Sequence, residues 1–272
     1  MKKKTGIFSW YGYYNDYAER LERIRNAGFD GLMLWWEDDM GEAPYHRREM
    51  AAMARRAGLD IFNAHIANIH ENFIWCDDRA LREKHLFLIR DTILEIAEEG
   101  IFNLVIHLCE SDDVPPPGKT LLNSVEYLLP FAEDNKVTLS MENTWRSDYL
   151  EAVWESFPGV ACLGFCFDSS HANLRRQFDL LADHYDKLTA LHLSDNDGAK
   201  DRHWPPFDGE IDYKTLVTPY LRETDVPYTM ELVADRERYP EEEGFLAVAA
   251  ERITRLLDLE REIITKTTLT SS

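Results

Sequence analysis

Eight short apolar runs, each followed by a longer amphipathic segment, constrain this chain more than any other feature. The runs are Gly6–Trp10, Gly31–Trp36, Leu59–Ala64, Asn103–Leu108, Val137–Met141, Ala161–Phe167, Leu188–Leu193 and Tyr228–Val233. They are rich in Ile, Val, Leu and Phe without strict polar alternation, the pattern of strands covered on both faces. The periodicity predicts helices over Tyr17–Ala27, Tyr45–Ala57, Ala80–Glu99, Thr120–Asn135, Tyr149–Ser156, Leu174–Tyr185, Tyr213–Arg222 and Glu242–Ile264. Ala27-Gly28, Ala57-Gly58 and Glu99-Gly100 are helix stops.

Eight such units in 272 residues fit one α/β fold, a single (β/α)8 TIM barrel, as one domain over residues 1–272. Pro115-Pro116-Pro117-Gly118 reads as a loop after the fourth strand, and no linker divides the chain. The competing architecture is an open doubly wound sheet. Against it, no GxGxxG or Walker sequence follows the first run.

The formal charge of −20 weighs against a nucleic acid partner, which a protein usually holds by releasing counterions through Lys and Arg. The longest uncharged stretch, Ser156 to Phe167, is about a dozen residues, short of the ~20 a bilayer needs. The start has a basic cluster but no apolar signal core. Cys76, Cys109, Cys162 and Cys166 form no CxxC pair and read as reduced thiols. A cytoplasmic location is expected.

Barrel chemistry gathers at the carboxyl ends of strands. There the sequence places His65, His107, Glu142, Asp168 with His171, His192 and Glu231, and a following loop adds Asp201 and His203. Four of these nine are acids. Packing carboxylates into one mouth is costly unless a cation neutralises them, so a divalent metal is the simplest account. Taken singly, several members have plain structural readings. His107 could be a satisfied core histidine, Asp168 a helix cap, Asp201 and His203 solvated loop residues. A buried Glu ending an apolar run, as at Glu142 and Glu231, is harder to explain that way.

The segments MENT, FDSSH, HLSDND, DRHWPP and MEL, in this order and spacing, resemble the xylose isomerase-like TIM-barrel superfamily. That superfamily includes sugar or sugar-phosphate isomerases and epimerases, and abasic-site nucleases of the endonuclease IV type. The epimerase-like resemblance implies one Mn2+, Mg2+ or Co2+ ion on Glu142, Asp168, His192 and Glu231. The nuclease-like resemblance implies three Zn2+ ions on all nine residues. Three carboxylates with one M2+ leave a formal −1, suited to a neutral polyol. Four carboxylates with three M2+ leave +2, suited to a phosphodiester. The segment HLSDNDGAKDRHWPPFDGEIDY looks like sugar isomerase or epimerase relatives, although Phe207 stands where a glycine is common.

The favoured expectation is a metal-dependent sugar isomerase or epimerase. Glu142 and Glu231 act as base and acid beside an enediolate. His171 and Arg202 are candidates to contact substrate, with Trp145 and Trp204 packing on a sugar face. Trp10, Trp35 and Trp36 also lie near strand ends, and Glu37 is a weaker site residue that could simply cap a helix. Arg47-Arg48, Arg55-Arg56 and Arg175-Arg176 read as solvated helix faces. The alternatives are a zinc phosphodiesterase and a non-catalytic metal- or sugar-binding barrel. The expected partner is a small sugar or sugar phosphate. A homo-oligomer could form on a helix such as Ala80–Glu99.

Overall fold

A computed structural model describes residues 3–39, 41, 44–67, 72–221 and 224–270. Eight parallel strands alternate with helices: β1 (Thr5–Phe8), β2 (Gly31–Trp35), β3 (Asp60–His65), β4 (Asn103–Ile106), β5 (Thr138–Glu142), β6 (Leu163–Asp168), β7 (Leu188–His192) and β8 (Tyr228–Met230). The sheet runs β7-β6-β5-β4-β3-β2-β1-β8. β7 and β8 close the barrel across a seam, where Leu193 N–H donates to Thr229 O at 2.9 Å. This is the (β/α)8 barrel the alternation implies.

The helices form where caps and apolar stripes coincide. Asp16 accepts from Ala18 N to start α1 (Tyr17–Asn26). His46 and Glu49 form a capping box on α2 (Arg47–Arg56). Asp78 caps α3 (Arg79–Glu98), which stops before Gly100 at φ 70°. The chain continues with α4 (Lys119–Asp134), α5 (Ser147–Ser156), α6 (Ser169–Arg175), α7 (Phe178–His184), α8 (Tyr213–Leu216), α9 (Thr218–Leu221) and α10 (Glu242–Thr270). No helix among the described residues is long and apolar enough to cross a membrane.

Two expected helices differ in form. Leu174–Tyr185 is two helices, because α6 starts directly at the end of β6 and ends at Arg176 in the left-handed region, φ 57°. The span expected over Tyr213–Arg222 is the two short helices α8 and α9, and Arg222 lies outside the described residues.

Two strands carry an extra residue that shapes the barrel interior. The β2–β3 register passes from Leu32↔Ile61 to Met33↔Asn63, leaving Phe62 unpaired. The β6–β7 register passes from Phe165↔Leu188 to Cys166↔Ala190, leaving Thr189 unpaired. Such bulges re-aim a side chain. A Cβ at Gly6 or Gly31 would sit 2.7 Å from the Phe62 ring, and one at Gly164 would sit 2.1 Å from Thr189 Oγ1. The glycines thus make room for what the bulges turn inward.

Candidate metal centre and active site

Every expected ligand sits at a strand's carboxyl end or in the segment that follows it, His171 in the first turn of α6. Glu142 ends β5 and is the hub. Its Oε2 lies 3.3 Å from His65 Nε2, 3.1 Å from His107 Nε2 and 3.2 Å from His192 Nδ1. Its Oε1 lies 3.1 Å from His171 Nδ1. His192 Nδ1 is also 3.0 Å from Glu231 Oε2. Asp168 ends β6 and caps α6, its Oδ1 accepting from His171 N at 2.6 Å. Asp201 Oδ2 meets His171 Nε2 at 3.2 Å and His203 Nε2 at 3.0 Å.

The ligand atoms of Glu142, Asp168, His192 and Glu231 lie within 4.8 Å of one another, and all four residues are buried. Among the described residues, six buried atoms at this centre have no hydrogen-bond partner. They are Glu142 Oε1, Asp168 Oδ2, Glu231 Oε2, His171 Nδ1 and both ring nitrogens of His192. His192 Nδ1 is close to two carboxylates yet not aligned to donate to either. Buried polar groups are normally paired. Converging but unpaired oxygen and nitrogen atoms are the donor set of a divalent cation, so the residues fit one.

Two further histidines are held in ligand-like orientations. His65 Nδ1 pairs with Ile66 O at 2.9 Å, and His107 Nδ1 pairs with Glu110. Each ring therefore turns Nε2 toward Glu142, as an outer partner orients a metal-binding imidazole. His65, His107 and Glu142 form a second group within 4.8 Å. Cys166 also approaches Glu142 and His192, but burial pushes its thiol up to about 12, which keeps it neutral.

Charge crowding sets the proton affinities. Burial opposes charge on Glu142, yet His192 and His107 hold it well below the usual carboxylate range. Burial likewise opposes charge on Glu231, and His192 brings it down to about 2. Asp168, its burial reinforced by Glu142 and Glu231, is raised to about 7. Burial disfavours the charged form of His107 and His203, but adjoining carboxylates raise them to about 10 and about 9. Opposed shifts within one cluster are a pattern that active sites share with structural ion-pair networks.

The centre floors a two-lobed cavity. The inner lobe, about 230 Å³, is lined by His107, Glu142, Trp145, His171 and Asp201 among others. The outer lobe, about 450 Å³, lies over Phe8, Trp10 and Tyr14. Trp35, His203 and Glu231 line both.

Not every expected residue faces this cavity. Arg202 binds Asp197 through Nη2 at 2.8 Å and lies over the Trp204 ring at 5.5 Å. Trp204 pairs its backbone with Asp195. Neither lines a lobe; both close the loop after β7. Glu37 caps no helix, and instead accepts from Trp35 Nε1 at 2.9 Å. Phe207 adopts φ 71°, where glycine would be at ease. Its N–H donates to Asp195 at 3.0 Å and Arg255 covers its ring at 3.9 Å.

Sequence reasoning passed over two residues at the inner lobe. Glu110 lies three positions past His107, a spacing visible in HLCE. Arg175 was read as a solvated helix face; it instead lines the inner lobe, its guanidinium 3.4 Å from the centre of the Trp145 ring.

Comparison with known proteins agrees with this architecture. An uncharacterized protein, y4fM, of Sinorhizobium fredii (strain NBRC 101917 / NGR234) is 25% identical over 260 residues, spanning 80% of this chain and 81% of that protein. A solved structure of L-ribulose 3-epimerase superposes with a TM-score of 0.77 at 16% identity, over 99% of this chain and 98% of its own. A D-tagatose 3-epimerase-like protein gives 0.73 at 18%, over 96% and 99%. At such identities the structures speak for the fold. The sequence itself matches the xylose isomerase-like TIM barrel family over residues 21–260, through every strand that carries a ligand, and the chain belongs to that family.

Proposed function

We propose that this chain is a divalent-metal-dependent isomerase or epimerase of a sugar or sugar phosphate, moving a proton at a carbon next to a carbonyl. The observation that carries the reading is the convergence of Glu142, Asp168, His192 and Glu231 with their unpaired atoms at the barrel mouth. The names of the superposing barrels, L-ribulose 3-epimerase and D-tagatose 3-epimerase-like protein, support it. A bound Mn2+, Mg2+ or Co2+ would supply Lewis-acid polarisation of two adjacent substrate oxygens.

The protein's own groups do the rest. Glu142 and Glu231 flank His192, and each is held ionised by the imidazoles beside it. One carboxylate removes the proton and the other returns it, so the new configuration depends on which face each addresses. Asp168 and His192 complete the ligand set. His171 and Trp145 line the inner lobe and would hold the sugar's hydroxyls and apolar face.

The test is incorporation of deuterium from heavy water into a panel of ketoses by protein loaded with Mn2+ or Mg2+. Exchange into at least one ketose is expected. Absence of exchange from all of them, with metal bound, ends the proton-transfer reading.

One observation favours a second reading, a zinc phosphodiesterase. His65 and His107 group with Glu142, and Asp201 is shared by His171 and His203, so ligand types extend beyond the four-residue set and would suit more than one ion. Counting metals in protein purified without chelator separates the two. One equivalent supports sugar chemistry, and three equivalents of zinc support hydrolysis.

A further inference from the structure

The sugar reading accounts for the inner lobe and leaves the larger outer one without an occupant. Resting on that reading, we infer that the outer lobe is a subsite for a second, uncharged sugar ring, so that the preferred substrate is a glycosylated ketose.

Size is the first ground. The outer lobe, about 450 Å³, is roughly twice the inner one and by itself falls in the ~300–1,000 Å³ range of small-molecule sites. It is continuous with the chemistry, because Trp35, His203 and Glu231 wall both spaces. Trp35 is fixed as the divider. It stacks on His65 with centroids 5.0 Å apart, and Glu37 accepts from its indole N–H.

The surface chemistry is the second ground. Trp10 packs edge-on to Phe8 at 6.3 Å and to Tyr14 at 5.5 Å. Trp10 remains half-buried and Tyr14 is 57% exposed, so these rings form a rim with free faces and are not core. Rigid aromatic faces beside carboxylates offer a sugar ring both a stacking surface and hydroxyl acceptors.

Charge is the third ground, and it excludes a phosphate here. Among the described residues of this lobe the one arginine, Arg20, is buried. It is engaged with Asp39 at 3.2 Å and the Asn15 carbonyl at 3.0 Å. Asp38 is paired with Arg47 at 3.2 Å. The Glu37 carboxylate is exposed and held only by the Trp35 indole among the contacts described. The other cationic group of the lobe, His203, is engaged with Asp201 at 3.0 Å, so an anion would meet carboxylates and only cations already paired, whereas a neutral polyol would meet acceptors.

The experiment uses metal-loaded protein and five probes: fructose, fructose 6-phosphate, and the ketose disaccharides isomaltulose, lactulose and turanose. These disaccharides carry the second ring at different positions. Deuterium exchange gives kcat and KM, and titration calorimetry gives binding independently of turnover. At least one disaccharide is expected to exceed fructose in kcat/KM by about tenfold, through KM, as one added stacked ring would give. Trp10→Ala and Tyr14→Ala are each expected to pull that ratio toward one. Both are rim positions, and far-ultraviolet dichroism confirms that the variants fold. The inference is overturned if fructose matches every disaccharide, if fructose 6-phosphate surpasses them, or if both rim variants leave the ratio intact. If no probe exchanges, the proton-transfer reading fails while calorimetry still decides the subsite. Tighter, Trp10-dependent binding of a disaccharide than of fructose keeps it, and equal binding removes it.

Discussion

Ser140 and Glu142 lie two residues apart on β5, on one face of the strand, and both are buried. Ser140 belongs to a group that completes itself. Its Oγ donates to Asn103 Oδ1 at 2.8 Å and lies 2.7 Å from Thr189 Oγ1, while Asn103 Nδ2 donates to the Thr189 carbonyl at 3.0 Å. One layer up, Glu142 faces four imidazoles and still leaves Oε1 without a hydrogen-bond partner. The same barrel therefore satisfies one buried polar layer and leaves the next incomplete. The difference is what carries the proposed site, because an incomplete buried layer calls for something from outside to finish it.

The sharpest way to break this comparison is substitution in each layer. Glu142→Gln should lower deuterium exchange by about a thousandfold or more, within the range of a lost acid–base group and ligand, while the fold persists by circular dichroism. Ser140→Ala should keep exchange within about threefold. It should lower stability by ~1–3 kcal/mol through the unmet Asn103 carbonyl, a Tm loss of several degrees. A silent Glu142→Gln, or an inactive Ser140→Ala with unchanged Tm, would reverse the assignment of the layers.

Gly164→Ala probes the lower layer by overpacking. Its Cβ would lie 2.1 Å from Thr189 Oγ1, so β6 and β7 must part locally. The expected cost is ~1–3 kcal/mol, read as a lower urea midpoint, with metal stoichiometry unchanged. An unaltered midpoint would show that the bulged Thr189 side chain has somewhere else to go.

The smallest effect is a pH dependence of opposite sign with and without metal. In the metal-free protein His107 and His203 titrate at about 10 and about 9, above the ordinary 6.5. The carboxylates beside them, acting against burial, cause the rise. Their stabilisation is thus complete below about pH 6.5 and lost as pH climbs through 9 to 10. Asp168, raised by burial to about 7, adds loss in the same direction between about pH 4 and about pH 7. Metal binding instead needs neutral His192 and ionised Asp168, so affinity grows with pH. Between pH 6.5 and 9.5 the metal-free Tm should fall by a few degrees and the metal-induced rise in Tm should grow. Parallel slopes would mean that the cluster does not bind the ion.

The barrel was legible because parallel strands buried on both faces must be apolar throughout, so a charged residue ending a run stands out. Glu142 and Asp168 became candidates that way, and His192 as the polar residue carried by the seventh run. What escaped depends on how the segments after the strands fold, which the runs do not encode. Nothing in the run around His107 says that Glu110 turns back to it. Arg175 reads as a solvated helix position until α6, starting with no loop after β6, swings it over Trp145. Arg202 looked like a substrate residue for the converse reason, since only the folded loop shows it tied to Asp197. The outer lobe was visible merely as scattered tryptophans, because its walls join β1, β2 and the segments after them to His203, Glu231 and Val233 from the far end of the chain.

The seam between β7 and β8 gives the centre a mechanical meaning. His192 and Glu231 stand on its two sides, 3.0 Å apart, where Leu193 to Thr229 is the backbone bond that joins the strands. An ion held by both residues would be a clasp on a hoop, and its binding free energy would also be closure energy, since only the closed barrel brings the two side chains together. The closure that completes the wall is also the one that brings Glu231 to His192, and a barrel left open at that joint has neither.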